Sequence, residues 1–550
     1  MARWLAALAA AAGIAGCSHI PFLEQDSGVP LGTTGYVKGF YGGVAADEPQ
    51  AALAGRDVLT AGGTAVDAAV AVYFMLSVTM PSAAGLGGGG ICLVRTADDE
   101  KVETLDFLGQ PSSGKGRQVM VPGNPRGMFA LHARGGKFEW RELVRPAENL
   151  ARFGGVVSRA FATGLQGARQ VLATGNPGPY VRPDGQPVGE RDRVVQADLA
   201  ASLSQIRARG GAVMYTGIGG QRFSDEAERA GFGLTPRDLD ASLPIWRSTL
   251  RVRFTGQSSL HFPMPRTPTG TLGAKMAAML VADGSFRGVS GAARAHIFAE
   301  AIQRAMADGA AGFHTVTSER QTSQRKKKHT KYSVTHTVLG TDYAKRLLDG
   351  YRGDRLTRIS TGGHQPMAPD AIGGSTSFTV LDNNGGAVAC ALTMNGAFGT
   401  GVAVPGTGIY LAPYPESPAK RDLSLAAVVA DRDFGNMLHL VGAASGSAAS
   451  QAMIAELGLA VSYDKASRVD DVVAAKTRIY RDLAGGVTYL EDAAPQALRD
   501  GLAQRGHQVR TVPALSRVNI AFCPNGLPSE VSGCRIVSDP RSFGYATVSE

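Results

Sequence analysis

The segment Gly373-Gly374-Ser375-Thr376 places a hydroxyl directly after two glycines, at the head of an alternating, strand-like run. Those residue types in that order suit an N-terminal nucleophile. The glycines leave the carbonyl before Ser375 open to attack and its backbone deformable. Attack by the hydroxyl shifts the peptide to an ester, which water then cleaves. The freed α-amine, with an ordinary pKa near 7.7–8.0, can serve as general base for the same hydroxyl. The same four residues also describe a plain turn before a strand. Their surroundings have to decide.

Other residues with chemical potential fall away on their context. Gly85-Leu86-Gly87-Gly88-Gly89-Gly90 is followed by strand-like ICLVR, with no Lys-Ser/Thr and no helix, so a tight turn is expected rather than a phosphate loop. Cys92 and Cys390 sit in the apolar runs ICLV and AVACAL, where cysteine is expected as a small buried hydrophobe. Cys523 and Cys534 bracket the turn-rich PNGLPSEVSG and form a candidate disulfide in an oxidising compartment. No C-x-x-C and no His/Cys cluster at zinc spacing occurs, so neither a metal nor a cofactor is expected.

The elements that must position Ser375 can be read from periodicity. Residues 47–61 and 64–80 read as two helices, the second apolar nearly all round and hence buried. Amphipathic stretches follow near 126–135, 140–152, 158–172, 194–209, 270–283 and 290–307, with Pro-Gly joints at 121–126 and 175–187. From Ser375 the pattern changes: alternation to Asp382, a turn at Asn383-Asn384-Gly385-Gly386, then a strand to Met394. That is a hairpin signal. The C-terminal third reads as sheet with a helix near 448–462.

Composition sets outer limits. Of 550 residues, 44% are hydrophobic and 19% charged, which excludes a mostly disordered chain. The 71 glycines carry no G-X-Y period, which excludes collagen. Six of the charges behind the net +9 lie in one tract, RQTSQRKKKHTK at 320–331. Without interleaved aromatics or a nucleic-acid motif, that tract reads as an exposed loop, and no nucleic-acid partner is expected. The N-terminus, MARWLAALAAAAGIAGC, has one positive charge and an apolar run too short to span a bilayer. It resembles a bacterial lipoprotein signal over 1–16, with Cys17 as the lipid-modified residue. Membrane contact through that anchor, facing the periplasm and at the outer membrane rather than the inner, is the expected location.

Several blocks resemble the gamma-glutamyltransferase family of N-terminal nucleophile hydrolases. They are AGGTAVDAAVAVYFMLSVTMPSAAGLGGGG (61–90), VPGNPRGMFALHARGGKFEWRELVRPAENLAR (121–152) and STSFTVLDNNGGAVACALTMNGAFGTG (375–401). KRDLSLAAVV (420–429), VGAASGS (441–447) and SDPRSFG (538–544) follow in the same order. The resemblance implies an α+β fold, a four-layer αββα sandwich built from a large-subunit region (17–374) and a small-subunit region (375–550). It implies cleavage between Gly374 and Ser375, with Ser375 in place of the family's threonine and Thr376 as the neighbouring alternative. Thr393 matches a threonine that hydrogen-bonds the nucleophile. Asn395 matches a substrate-contacting asparagine, and Ser424 one of two carboxylate-contacting serines. Gly446 and Ser445 match the oxyanion-hole positions, Ser445 replacing a glycine.

The departures are as informative. Where the family has an arginine after Asp-Phe to grip a glutamyl carboxylate, Asp106-Phe107 is followed by Leu108. The second serine is Leu425, and Glu416 is the nearest acidic candidate for holding an α-amino group. The family's acidic stretch before the cleavage site is replaced by the basic tract. Two functions are therefore carried forward. The first is a self-cleaving amidohydrolase or acyltransferase acting on a small amide or peptide with a more apolar acyl end than γ-glutamyl. The second is a catalytically silent, lipid-anchored relative.

Overall fold

The computed structural model describes residues 40–97, 101–255, 257–309, 312–321, 331–369, 373–432, 437–464, 469–474, 478–529 and 533–549. Cys17 and most of the basic tract therefore lie outside the described residues. Helix Ala65–Thr79 shows how sequence sets structure here. Thr64 caps it, accepting from the Asp67 N–H while the Asp67 carboxylate accepts from the Thr64 N–H. A reciprocal box of this kind satisfies two otherwise orphaned donors. Every residue of the helix is buried, as its continuous apolar composition requires.

Among the described residues, fifteen strands build two large sheets. They are β1 (Gly42–Ala46), β2 (Gly89–Arg95), β3 (Val102–Asp106), β4 (Ile245–Arg247), β5 (Leu250–Thr255), β6 (Ser258–Phe262), β7 (Phe313–Gln321), β8 (Lys331–Leu339), β9 (Ser375–Asp382), β10 (Ala387–Thr393), β11 (Leu425–Arg432), β12 (Met437–Ser445), β13 (Arg517–Leu527), β14 (Arg535–Ser538) and β15 (Tyr545–Ser549). The first sheet has the order β15-β1-β9-β10-β2-β3-β4 and the second β14-β13-β12-β11-β6-β5-β8-β7. The β9–β10 hairpin was legible in the sequence; β4 to β6 were not, being only three to six residues long, nor were the nine-residue β7 and β8, which flank the basic tract that reads as a loop.

Alternation along the strands divides the core into layers. Phe378, Val380, Val388 and Leu392 pack with helix Ala65–Thr79 on the outer face of the first sheet. Leu260, Val428 and Ile520 pack with helices Leu272–Asp283, Gly291–Ala307 and Ser450–Asp464 on the outer face of the second. Between the sheets lie Leu93, Ala387, Ala389, Ala427, Val429, Ala443 and Ala521. These are mostly small, so the sheets approach closely. The result is the expected αββα order. Among the described residues no helix is long and apolar enough to cross a membrane.

The cysteines correct one expectation. Cys92 and Cys390 are not free hydrophobes: they face each other directly across β2 and β10 and form a disulfide. The sequence could not show this, because the partners are 298 residues apart and pair only through sheet register. Cys523 and Cys534 form a second disulfide.

The chain leading to Ser375 is tied to a helix and a strand beside it. Glu300 accepts the Thr357 N–H at 2.6 Å, and Met367 N–H donates to Asp482 at 3.1 Å. His296 Nε2 bonds the Arg352 carbonyl at 2.7 Å, so that nitrogen carries the proton. His296 Nδ1 then accepts from His507 Nε2 at 2.7 Å, and His507 Nδ1 accepts from the Thr488 hydroxyl at 2.8 Å. Burial, reinforced by His296, lowers the His507 pKa to about 3. The unfolded chain takes up this proton below about pH 6.5 and the folded chain does not. This contribution is therefore whole above 6.5 and is lost as pH falls toward 3. Urea midpoints should show about 2 kcal/mol lost between pH 7 and pH 5, a slope His507→Gln should flatten.

Candidate active site

Ser375 opens β9 and lies directly opposite Thr393, the last residue of β10. Both are buried, at 3% exposure. Before Ser375, Gly374 adopts φ 72°, and a Cβ there would stand 2.3 Å from the carbonyl carbon of Gly396. Only glycine fits both the backbone angle and the contact. The Gly374 carbonyl accepts the Met394 N–H at 2.7 Å and the Thr393 hydroxyl at 3.2 Å. Two donors thus polarise the carbonyl that Ser375 follows. Thr393 Oγ1 in turn accepts the Asn395 N–H at 2.9 Å. Its hydroxyl is therefore committed to the residue before Ser375. Asn395 itself sits at φ 51°, its amide donating to the Pro413 carbonyl at 3.0 Å.

On the other edge of β9 the partner strand runs out. β1 pairs as far as Ala46 opposite Phe378, leaving residues 375–377 without a backbone neighbour there. Side chains take its place. Asp47, fully buried, accepts the Ser377 N–H at 3.2 Å and the Thr376 hydroxyl at 2.9 Å. Asn519 donates to the Ser377 carbonyl at 2.9 Å and to Asp47 at 2.8 Å. Arg517 Nη2 donates to the Ser375 carbonyl at 2.6 Å, and its Nε stands 3.7 Å from the Asp47 carboxylate. Thr376, the register alternative, thus points its hydroxyl at Asp47. Sequence reading missed Asp47, Arg517 and Asn519. The usable signal was polar Arg517 and Asn519 alternating with apolar Val518 and Ile520 on one strand.

Ser445 closes β12 opposite Leu425 and Arg517, and Gly446 follows at φ 124°. Ser445 is fully buried, with its hydroxyl unpartnered among the described residues. Ser424 is half-buried, and its hydroxyl donates to the Arg421 carbonyl at 2.7 Å. Glu416 is exposed and is not brought into the cavity beside these residues.

That cavity carries the departures noted in the sequence. Leu108 and Leu425 come together with Ile91 and Ala391 in one buried apolar cluster. Ala391 precedes Thr393 by two residues and so shares its face of the sheet. The same leucines line an ≈ 20 Å³ cavity that Asp106, Arg266 and Asp422 also reach. Asp106 receives a two-pronged bond from Arg266, Nε at 2.7 Å and Nη2 at 2.8 Å. Asp422 receives Arg421 and the Thr267 N–H and hydroxyl. A guanidinium therefore stands at the cavity, supplied by a loop that sequence reading passed over. Among the described residues no cluster of His, Cys, Asp and Glu could hold a metal ion.

This double-sheet fold has known counterparts. A gamma-glutamyltranspeptidase family model matches residues 51–549. The chain belongs to that family. It is 29% identical over 538 residues to Acylase ACY 1 proenzyme from Pseudomonas sp. (strain V22), covering 89% of this chain and 91% of the relative. It is 28% identical over 401 residues to the glutathione hydrolase proenzyme of Escherichia coli (strain K12), covering 68% and 66%. The fold matches the crystal structure of cephalosporin acylase from Bacillus halodurans with a TM-score of 0.71 at 19% identity, over 94% of this chain and 99% of that one. Members of this gamma-glutamyltranspeptidase group are hydrolase and acylase enzymes made as proenzymes, and this chain is an enzyme of the same kind.

The Asp106–Arg266 pair is the polar wall of the cavity, and Asp106 is 1% exposed. Asp106→Asn would leave a partly buried guanidinium without its counter-charge. A loss of roughly 3 kcal/mol is expected in urea denaturation, at the low end for a broken buried pair because Arg266 retains some solvent contact.

Proposed function

We propose that this family member is a self-cleaving amidohydrolase or acyltransferase, cut between Gly374 and Ser375, that acts through an acyl-enzyme on Ser375. The observation that carries this reading is the Gly374 carbonyl, already held by the Met394 N–H and the Thr393 hydroxyl. Attack by Ser375 Oγ on that carbonyl forms a C–O bond and an oxyanion, which those two donors stabilise. The C–N bond then breaks as the Ser375 nitrogen takes up the proton given up by Oγ, leaving a free amine and an ester that links Gly374 to the Ser375 oxygen. Water hydrolyses the ester, releasing a Gly374 carboxylate and a free Ser375 with its own α-amine.

The second reaction repeats the first on a substrate amide. The α-amine takes the proton from Oγ as the oxygen attacks the acyl carbon. Backbone donors around Ser445 and Gly446 serve the oxyanion; a serine there keeps the N–H. The protonated amine passes its proton to the departing nitrogen, and water or an acceptor amine then takes the acyl group from Ser375. Leucines at 108 and 425 favour an apolar acyl segment, since neither can pair with a carboxylate. This reading assigns Asn395 and Ser424 to substrate contact.

Purified protein should resolve into two fragments on a denaturing reducing gel, the smaller starting at Ser375. Ser375→Ala should remain one chain. Full-length wild-type chain that never cleaves would sink the proposal. On the matured enzyme, anilides with an unbranched apolar acyl group should exceed the γ-glutamyl anilide in kcat/KM by at least about tenfold, the worth of one lost charge-assisted pair.

The same reading places the protein in the bacterial cell envelope. Two disulfides suit an oxidising compartment, and Cys17 is the proposed lipid attachment point. Cys17→Ala should move the protein from the membrane fraction to the soluble periplasmic fraction. Unchanged fractionation would remove the anchor from the proposal.

A further inference from the structure

Ser375 is the residue whose nitrogen becomes the general base, so the groups along its edge of β9 decide how that base titrates. In an extended strand the N–H and C=O of one residue point to the same side. For Ser375 that is the side vacated by β1, where its carbonyl meets Arg517 Nη2 at 2.6 Å. Nitrogen and carbonyl oxygen of a single extended residue are about 3 Å apart. A guanidinium bonded to the oxygen therefore lies within roughly 6 Å of the nitrogen.

We infer that Arg517 is a positioning residue for the base: it fixes the Ser375 backbone and holds the α-amine neutral by like-charge repulsion. The inference rests on the Ser375 reading above. A cation beside an amine disfavours its protonated form and lowers its pKa. Cleavage creates this amine in a place where the cation is already bonded to the same residue. The base is then available at lower pH than an unperturbed terminus, near 7.7–8.0, would allow.

The other charges facing this edge are few. Asp47, just beyond β1, is ion-paired with Arg517 at 3.7 Å, and its carboxylate also accepts from Asn519, Thr376 and Ser377, the last two one and two residues farther along the chain from the amine. Glu48 turns to the helix side, accepting from the Ala51 N–H and the Thr79 hydroxyl. Asp539 behind β13 is paired with Arg478 and Arg541. β10 contributes no titrating group, since Cys390 is in a disulfide. The end of β12 offers only Ser445 and Gly446. Across the cavity, Asp106–Arg266 and Asp422–Arg421 are closed pairs. Arg517 is thus the charge bonded to Ser375 itself, and its ion-pair partner Asp47, at 3.7 Å, pulls the opposite way through Thr376 and Ser377.

Opposite signs make the assignment testable without knowing the substrate. The α-amine pKa can be read from the pH dependence of its carbamoylation by cyanate, followed by mass spectrometry of the peptide that begins at Ser375. The full-length protein is used after maturation, with γ-glutamyl and apolar acyl anilides giving the acidic limb of kcat/KM in parallel. Arg517→Met should raise both values by about one unit, Asp47→Asn should lower them, and Arg517→Lys should stay close to wild type. Should Arg517→Met not mature, the Lys and Asn variants decide. A wild-type value in Arg517→Lys with a lowered one in Asp47→Asn supports the assignment, and any other pattern overturns it. An amine that titrates identically in all matured variants assigns Arg517 a packing role only. A wild-type chain never cut before Ser375 overturns the Ser375 reading, and this assignment with it.

Discussion

β1 stops three residues short of the start of β9, and the candidate site is arranged around that shortfall. A strand edge buried without a partner leaves N–H and C=O groups that must be satisfied some other way. Had β1 continued, its backbone would have occupied the space beside Ser375. Instead the chain turns at Asp47, and three side chains from two distant segments complete the ladder. Two of them, Arg517 and Asn519, come from the second sheet. The edge of one sheet is thereby stitched to the face of the other at Ser375. Small residues between the sheets, Ala443 and Ala521 among them, bring the two close enough for those bonds.

The opposite edge of β9 is ordinary sheet, and it supplies the other half of the geometry. Register with β10 sets Thr393 against Ser375, and the first residue beyond the strand gives the Met394 N–H to the Gly374 carbonyl. The same register carries Ala391 and Ile91 into line beside the leucines at 108 and 425. Ser375, Thr393 and the apolar cluster therefore share one strand pair and its neighbour. A change in the cavity that shifted β10 would be felt at Thr393.

How much of this was legible in the sequence depends on the distance over which each feature acts. The buried helix Ala65–Thr79, its Thr64 cap and the β9–β10 hairpin are local, encoded by periodicity, a hydroxyl and a four-residue turn. Leu108 and Leu425 could each be recognised as departures from the family pattern, but not that they touch. Their meeting requires two sheets and a stretch of more than three hundred residues. The Cys92–Cys390 pair was misread for the same reason: each cysteine sits in an apolar strand, and only strand order makes them neighbours. Arg266 and Asp47 carry no local signal, since an arginine in a Pro-rich loop and an aspartate before a helix are both commonplace on surfaces. Burial gives them their roles, and burial is a property of the assembled layers.

The buried disulfide has a bearing on what cleavage leaves behind. Cys92 belongs to the region before Ser375 and Cys390 to the region after it, and they join adjacent strands in the middle of the first sheet. A chain opened between Gly374 and Ser375 would gain two new termini yet remain a single covalent molecule. Dilution could not separate its pieces, and the strands that frame Ser375 would keep their neighbours whatever the new Gly374 end did. Cutting would then act as a local release, freeing one terminus to swing out of the site while the walls stay bolted together.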